Sequence, residues 1–251
     1  MTIPAVQDTA QLRADSARIT ELIGTDLDAA VPACPGWDVR DLAVHLGGVH
    51  RWARECIETG APPQRERSTD PLPDPPPEEA DGLARWFGDG AIALANTIDA
   101  ADPDAATWMP FPVEHRTVSV WTRRQTHETS LHRWDAESAV AAPRPIDPAL
   151  ASDGIDEYFS LVLPRLVDRD GLELPSSSLH VHCTDTEGEW TVEVLDGALA
   201  VDRAHRKGDA ALRGSAEHLL LRLWGRPVPD GAVDVVGDEA AAGAWLSLGG
   251  T

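Results

Sequence analysis

The chain has 251 residues, with 42 acidic against 21 basic side chains (formal net charge −21), 42% apolar residues and 25% charged ones. That length suits one large domain or two small ones, and the apolar content is enough to bury real cores, so the negative charge does not signal disorder. The charge is also evenly spread: residues 1–150 hold 24 acids and 13 bases, residues 151–251 hold 18 and 8. Neither half offers the basic face that phosphate neutralisation needs, which disfavours nucleic acid and anionic membrane as partners.

The first residues, MTIPAVQDTAQLR, contain no apolar stretch of signal-peptide length, and no run reaches the ~18 apolar residues of a spanning helix. Cys34, Cys56 and Cys183 are an odd, widely spaced set without a C-x-x-C pair. They fit reduced, mostly packed thiols and a cytoplasmic location better than a disulfide framework or a cysteine zinc site.

In chain order, four amphipathic helices are predicted. The first spans about Ala5 to Ala30 on Leu12, Ile19, Leu22 and Ile23, and ends before Pro32 and the Cys34-Pro35-Gly36 turn. A second begins at Asp38, a suitable N-cap with Asp41 three residues on, and carries Val39, Leu42, Leu46, Val49, Ala53 and Cys56 as one stripe. Residues 61–77 hold seven prolines and read as an exposed connection. The third helix runs from about Glu79 to Ala101, and a proline-interrupted loop around Trp108 to Pro112 leads to the fourth, about Thr117 to Ala141. Such a pattern predicts a helix bundle.

Beyond Pro143, Pro145 and Pro148 the pattern changes. A helix from about Ser152 to Val167 precedes three short strands in SLHVHCTD, EWTVEVLD and ALAVDR, then a helix (SAEHLLLRLWG), a strand (VDVVGD) and a last helix (EAAAGAWLSL). This predicts an α+β domain over residues 149–251, after a helical domain over 1–148.

The fourth helix carries the chemistry. At ~100° per residue, Val118, Trp121, Gln125, Glu128, His132, Asp135 and Ala139 form one row with four consecutive polar members. Either this row is the wet face, with Val120, Leu131 and Trp134 marking the core, or it faces the bundle interior and its polar residues bind something. Glu128 and His132, four apart, can share one metal ion. His127 and His132 stand ~140° apart and cannot, so the H-E-x-x-H protease pattern does not apply. A third ligand must come from another helix, and His45 and His50 lie on opposite flanks of the second helix's stripe, between which periodicity cannot choose.

The stretches CPGWDVRDLAVHLGGVHRW (Cys34 to Trp52) and RRQTHETSLHRWDAE (Arg123 to Glu137), with LLLRLWGRPV (Leu219 to Val228), resemble the mycothiol-dependent maleylpyruvate isomerase family. The resemblance covers nearly the whole chain. It implies a DinB-like four-helix metal-binding bundle followed by a small, sterol-carrier-like α+β domain. It also implies that His45, Glu128 and His132 are the metal ligands, with zinc as the expected ion and mycothiol as thiol cosubstrate. His50, His127 and Asp135 then become supporting residues, Asp135 being placed to orient a ligand histidine.

An isomerase or an S-transferase acting on a small electrophile is the activity implied. An acidic substrate would need guanidinium partners, for which Arg123, Arg124, Arg222 and above all Arg226 are candidates. Two other functions fit the residues less well: a metal-dependent hydrolase using bound water, or a noncatalytic protein whose α+β domain holds a lipid.

Overall fold

The computed structural model describes residues 8–63 and 74–249. The chain divides into two compact units. Among the described residues one, the helical unit, comprises 8–63, 74–109 and 114–145; the other, the sheet unit, begins at Ile146 and also takes in Pro110–Val113. The change of unit thus falls two residues before Pro148, and part of the expected loop around Trp108 to Pro112 belongs with the later unit.

Four helices make the helical unit: α1 (Ala10–Ile23), α2 (Val39–Thr59), α3 (Ala80–Ala100) and α4 (Val118–Val140). Each of α3 and α4 packs against both α1 and α2, and the stripes of Ile19, Leu22, Ile23, Leu42, Leu46, Leu83 and Phe87 meet in the core. The first helix is shorter than its periodicity suggests. The sequence from Leu27 instead turns into an isolated antiparallel bridge of Ala30 with Asp38, and its carbonyls accept from the start of α2: Arg40 N–H donates to Leu27 O and Val39 N–H to Ala29 O, each at 3.1 Å. Leu27 and Ala29 are therefore apolar because they pack on the core from outside the helix.

Asp38 caps α2 as expected and forms a full capping box with Asp41. Inside α2, Gly47 lets the helix approach α3 closely, since a Cβ there would lie 2.3 Å from the Trp86 ring. Part of the proline-rich connection, residues 64–73, lies outside the described residues, as does the expected start of the first helix at Ala5.

The sheet unit opens on a longer helical stretch than expected: α5 (Pro148–Glu157), a π-helical turn (Tyr158–Val162) and α6 (Leu163–Asp170). Pro164 explains the break, because its ring clashes with the carbonyl four residues back and it has no N–H to donate. Five strands follow, β1 (Leu179–Cys183), β2 (Glu189–Leu195), β3 (Ala198–Asp202), β4 (Ala210–Gly214) and β5 (Val233–Gly237), with α7 (Ala216–Leu223) and α8 (Glu239–Leu246). Their order is β3-β2-β1-β4-β5, with β1 and β4 parallel and the other pairs antiparallel.

β4 was not predicted. Its sequence, AALRG, offers one large apolar side chain, Leu212, and only pairing with its neighbours makes it a strand. Among the described residues, no helix is long and apolar enough to cross a membrane.

Candidate metal centre

The motif CPGW builds one wall of the site. Cys34 to Trp37 is a β-turn closed by Trp37 N–H to Cys34 O at 2.9 Å, with Pro35 at its second position and Gly36 at φ +85° in the third. A type II turn requires this choice, because proline presets the second position and glycine tolerates the positive φ of the third. The turn brings the Trp37 ring to 4.9 Å from the His45 ring on α2, and lets the Cys34 thiol donate to Asp135 Oδ2 on α4 at 3.8 Å.

The polar row of α4 faces inward. Val118, Trp121, Gln125, His132 and Asp135 are buried and Glu128 is half-buried. Leu131 and Trp134, which would mark the core side if the row were wet, are buried too, so this helix is enclosed on nearly all sides. Two polar clusters lie along it.

In the first, His45 and His132 converge on Glu128: His45 Nε2 is 3.6 Å and His132 Nε2 3.5 Å from Glu128 Oε1, and the two rings meet edge to face at 5.4 Å. One ligand atom from each of the three lies within 4.8 Å of the others. The partners of this trio hold it open. Arg124 donates to Glu128 Oε2 at 2.7 Å, leaving Oε1 toward the histidines. Asp135 Oδ2 lies 3.0 Å from His132 Nδ1, so with that nitrogen protonated the Nε2 lone pair points at Glu128.

The electrostatics favour positive charge here. Burial alone would push the Glu128 carboxyl up, yet the Arg124 guanidinium and the neighbouring imidazoles of His132 and His45 hold it well below its usual range. Burial opposes charge on His132, but Asp135 and Glu128 outweigh it and raise its pKa to about 9.

His50 behaves differently from His45, its counterpart on the opposite flank of α2. It is fully buried, with Nε2 2.9 Å from Thr129 Oγ1 and its ring 5.6 Å from that of Phe87. Burial pushes its pKa down to about 3, so it is a neutral packing histidine tied to α4. His127 is also buried on α4, outside the trio. None of the three cysteines is in a disulfide, and burial pushes Cys183 up to about 12, far from nucleophilic at neutral pH.

The second cluster on α4 went unread in the sequence. Glu137, 1% exposed, accepts from Arg133 at 2.7 Å, from Arg18 on α1 at 2.9 Å, and from both the backbone and side chain of Arg144 at 2.7 and 2.8 Å. Asp15 joins it through Ser130 at 2.5 Å and Arg133 at 3.3 Å. Only the Arg133/Glu137 spacing of four was a local signal; the α1 partners are set by helix packing.

Arg226, in the sheet unit, sits just beyond α7 in a Schellman motif. Gly225 takes φ +70°, Gly225 N–H donates to Arg222 O at 3.1 Å, and Arg226 N–H donates to Leu221 O at 2.8 Å. The side chain is buried, donates to Trp224 O at 2.9 Å and stands 5.8 Å from the Trp224 ring. Arg222, by contrast, is exposed.

A helical bundle with two imidazoles and a carboxylate converging in its interior, followed by a mixed sheet with helices, defines a two-unit protein with a candidate metal centre in its helical part. The sequence profile described as Mycothiol maleylpyruvate isomerase N-terminal domain matches residues 9–137, and that described as MDMPI C-terminal domain matches residues 149–244. The chain belongs to the mycothiol maleylpyruvate isomerase family.

Among solved structures, a crystal structure of the mycothiol-dependent maleylpyruvate isomerase is similar at a TM-score of 0.57 and 13% identity, covering 90% of each chain. A histidine-to-alanine mutant of that isomerase is similar at 0.57 and 10%, over the same shares. At these identities the likeness is one of fold. No curated protein matches by sequence.

Proposed function

We propose that the chain is a metal-dependent enzyme that uses mycothiol, as an isomerase or an S-transferase, on a small electrophile of the maleylpyruvate kind. The observation that carries this is the convergence of His45 Nε2, His132 Nε2 and Glu128 Oε1 inside the bundle. Two imidazoles and one carboxylate fit a divalent ion of the zinc class, and three protein ligands leave a position for a further one. When bound there, such an ion keeps a net charge of about +1 and favours the thiolate form of an incoming thiol at neutral pH.

The chain's own residues prepare this chemistry. Asp135 holds the tautomer of His132 that frees Nε2, and the Trp37 ring fixes the plane of His45. Arg124 occupies one Glu128 oxygen and so aims the other at the imidazoles. An acidic substrate needs a guanidinium that matches a carboxylate in two parallel hydrogen bonds. Arg226, set by its Schellman turn, is the residue proposed for that contact.

Elemental analysis of the purified protein tests the centre. About one divalent ion per chain is expected at this site, lost in His45→Ala; metal content unchanged by that substitution would overturn the ligand assignment. Adding mycothiol to the cobalt-substituted protein should change its visible spectrum, and a silent spectrum would remove the thiol from the proposal. In Arg226→Lys the KM for an acidic substrate should rise more than kcat falls.

A further inference from the structure

We infer that His180, His182, Glu189 and His205 form a second metal site, in the sheet unit, for a divalent ion of the zinc class. The strand geometry assembles it. His180 and His182 are two apart on β1 and so project from one face. The antiparallel register sets Glu189 of β2 opposite His182 and Thr191 opposite His180, on that same face. The single hydroxyl hydrogen of Thr191 is then shared between the carbonyls of Ala204 and Arg206, at 3.5 and 3.2 Å, as the two branches of a three-centre bond. That bond draws the segment after β3 back across the hairpin and places His205, between the two carbonyls in sequence, over the face.

The donors meet at Glu189 Oε1. His182 Nδ1 contacts it, His205 Nδ1 lies 2.9 Å away and His180 Nε2 3.8 Å away. One ligand atom from each of the four lies within 4.8 Å of the others. The three imidazoles crowd together, with the His180 ring 5.1 Å from that of His205 and 6.0 Å from that of His182.

His180 supplies an independent sign of a ligand. It is 7% exposed, and its Nε2 is buried, points into the cluster and has no hydrogen-bond partner among the described residues. Leaving a buried polar atom unpaired destabilises the fold, and a cation at the cluster centre would take its lone pair. Closing the shell requires the donor separations, which run from the close His182–Glu189 contact and 2.9 Å at His205 to 3.8 Å at His180, to even out at the ~3.3 Å that ~2.0 Å bonds imply. His205 can make this movement, being largely exposed on its loop.

Three imidazoles and a single carboxylate select zinc, nickel, cobalt or copper over magnesium and calcium, which prefer all-oxygen shells. Four protein ligands also fill a tetrahedral shell, so the role of the ion is to pin the β3–β4 connection onto the β1–β2 hairpin. The site is independent of the one in the bundle.

The test uses the full chain, stripped with a chelator and titrated with Zn2+ near neutral pH. Wild-type protein should take up two equivalents, and His45→Ala, His182→Ala and His205→Ala one each. With His45→Ala as background, Co2+ should give an intense tetrahedral visible spectrum that is lost on adding His205→Ala, and Zn2+ should raise the Tm. His205 is exposed, so its substitution decides the matter even where His182→Ala fails to fold. The proposal is overturned if the His45→Ala protein binds no Zn2+, or if the second equivalent survives in His205→Ala. Failure of the bundle site would look different: His45→Ala would then match wild type.

Discussion

Two buried polar clusters lie on one helix, yet they are built to opposite ends. Around Glu137, donors and acceptors are matched: one carboxylate accepts from three arginines, at 2.7 to 2.9 Å. Around Glu128, two imidazole nitrogens stop 3.5 and 3.6 Å from a carboxylate oxygen, too far for good hydrogen bonds and close enough to share an ion. A satisfied network holds the fold, whereas one that keeps donors in reserve is suited to a ligand. The chain separates these tasks by about two helical turns, so each can be tested without the other.

The largest effect is expected at the satisfied cluster. Glu137→Ala would leave Arg133 buried beside Asp15 alone and should cost about 3–5 kcal/mol of folding stability, read as a lowered denaturant midpoint. Metal content of the folded fraction should stay unchanged. If metal is lost in parallel with stability, the two clusters are not separable and the comparison fails.

Acid should act on the same cluster. Burial opposes charge on Glu137, but the Arg144 backbone and the three arginine side chains hold its pKa down at about 2. A carboxyl with a depressed folded value contributes stability that is complete above the unfolded value, near 4.5, and lost as pH falls toward 2. The loss should approach ~3 kcal/mol. His50 adds an earlier decline: the unfolded imidazole takes up a proton below its ordinary value of 6.5, while the folded one resists until about 3. Denaturant midpoints measured from pH 8 to pH 2 should therefore fall with both groups, and Glu137→Gln should shrink the fall below pH ~4.5.

A smaller effect is expected at the metal centre's support. Asp135→Asn weakens the acceptor for His132 Nδ1–H and should lower metal affinity about 10- to 100-fold, read by competition with a chelator. The smallest concerns Cys34, which with His132 and Asp135 forms a second trio of ligand-type residues sharing His132. The 3.8 Å thiol contact is weak, so Cys34→Ser should shift metal affinity by less than ~1 kcal/mol, a factor of about five, in competition titrations with a chelator. A larger loss would move the ion toward Asp135.

Much of the bundle was legible because its signals are local. Helix periodicity located α3 and α4 to within a residue, and Asp38 with Asp41 announced the start of α2. The spacing of four put Glu128 and His132 side by side. The strand β4 was not legible, because five residues with one large apolar side chain become a strand only between β1 and β5. The cluster at His180 was half legible: H-x-H on a strand places two histidines on one face, but nothing local pairs them with Glu189 or brings His205 back.

By itself the sequence determined which apolar faces α1 and α2 bury, where α2 begins, that a turn follows at Cys34-Pro35-Gly36, and that Glu128 can share a ligand with His132. Those are consequences of backbone geometry over three or four residues, which holds in any fold. Only the tertiary structure decided that the polar row of α4 faces inward, that His45 and not His50 meets Glu128, and that Arg18 and Asp15 of α1 complete the network at Glu137. Each of these depends on how one helix is rotated against another, and that rotation is set by the summed burial of whole faces, which no single spacing records.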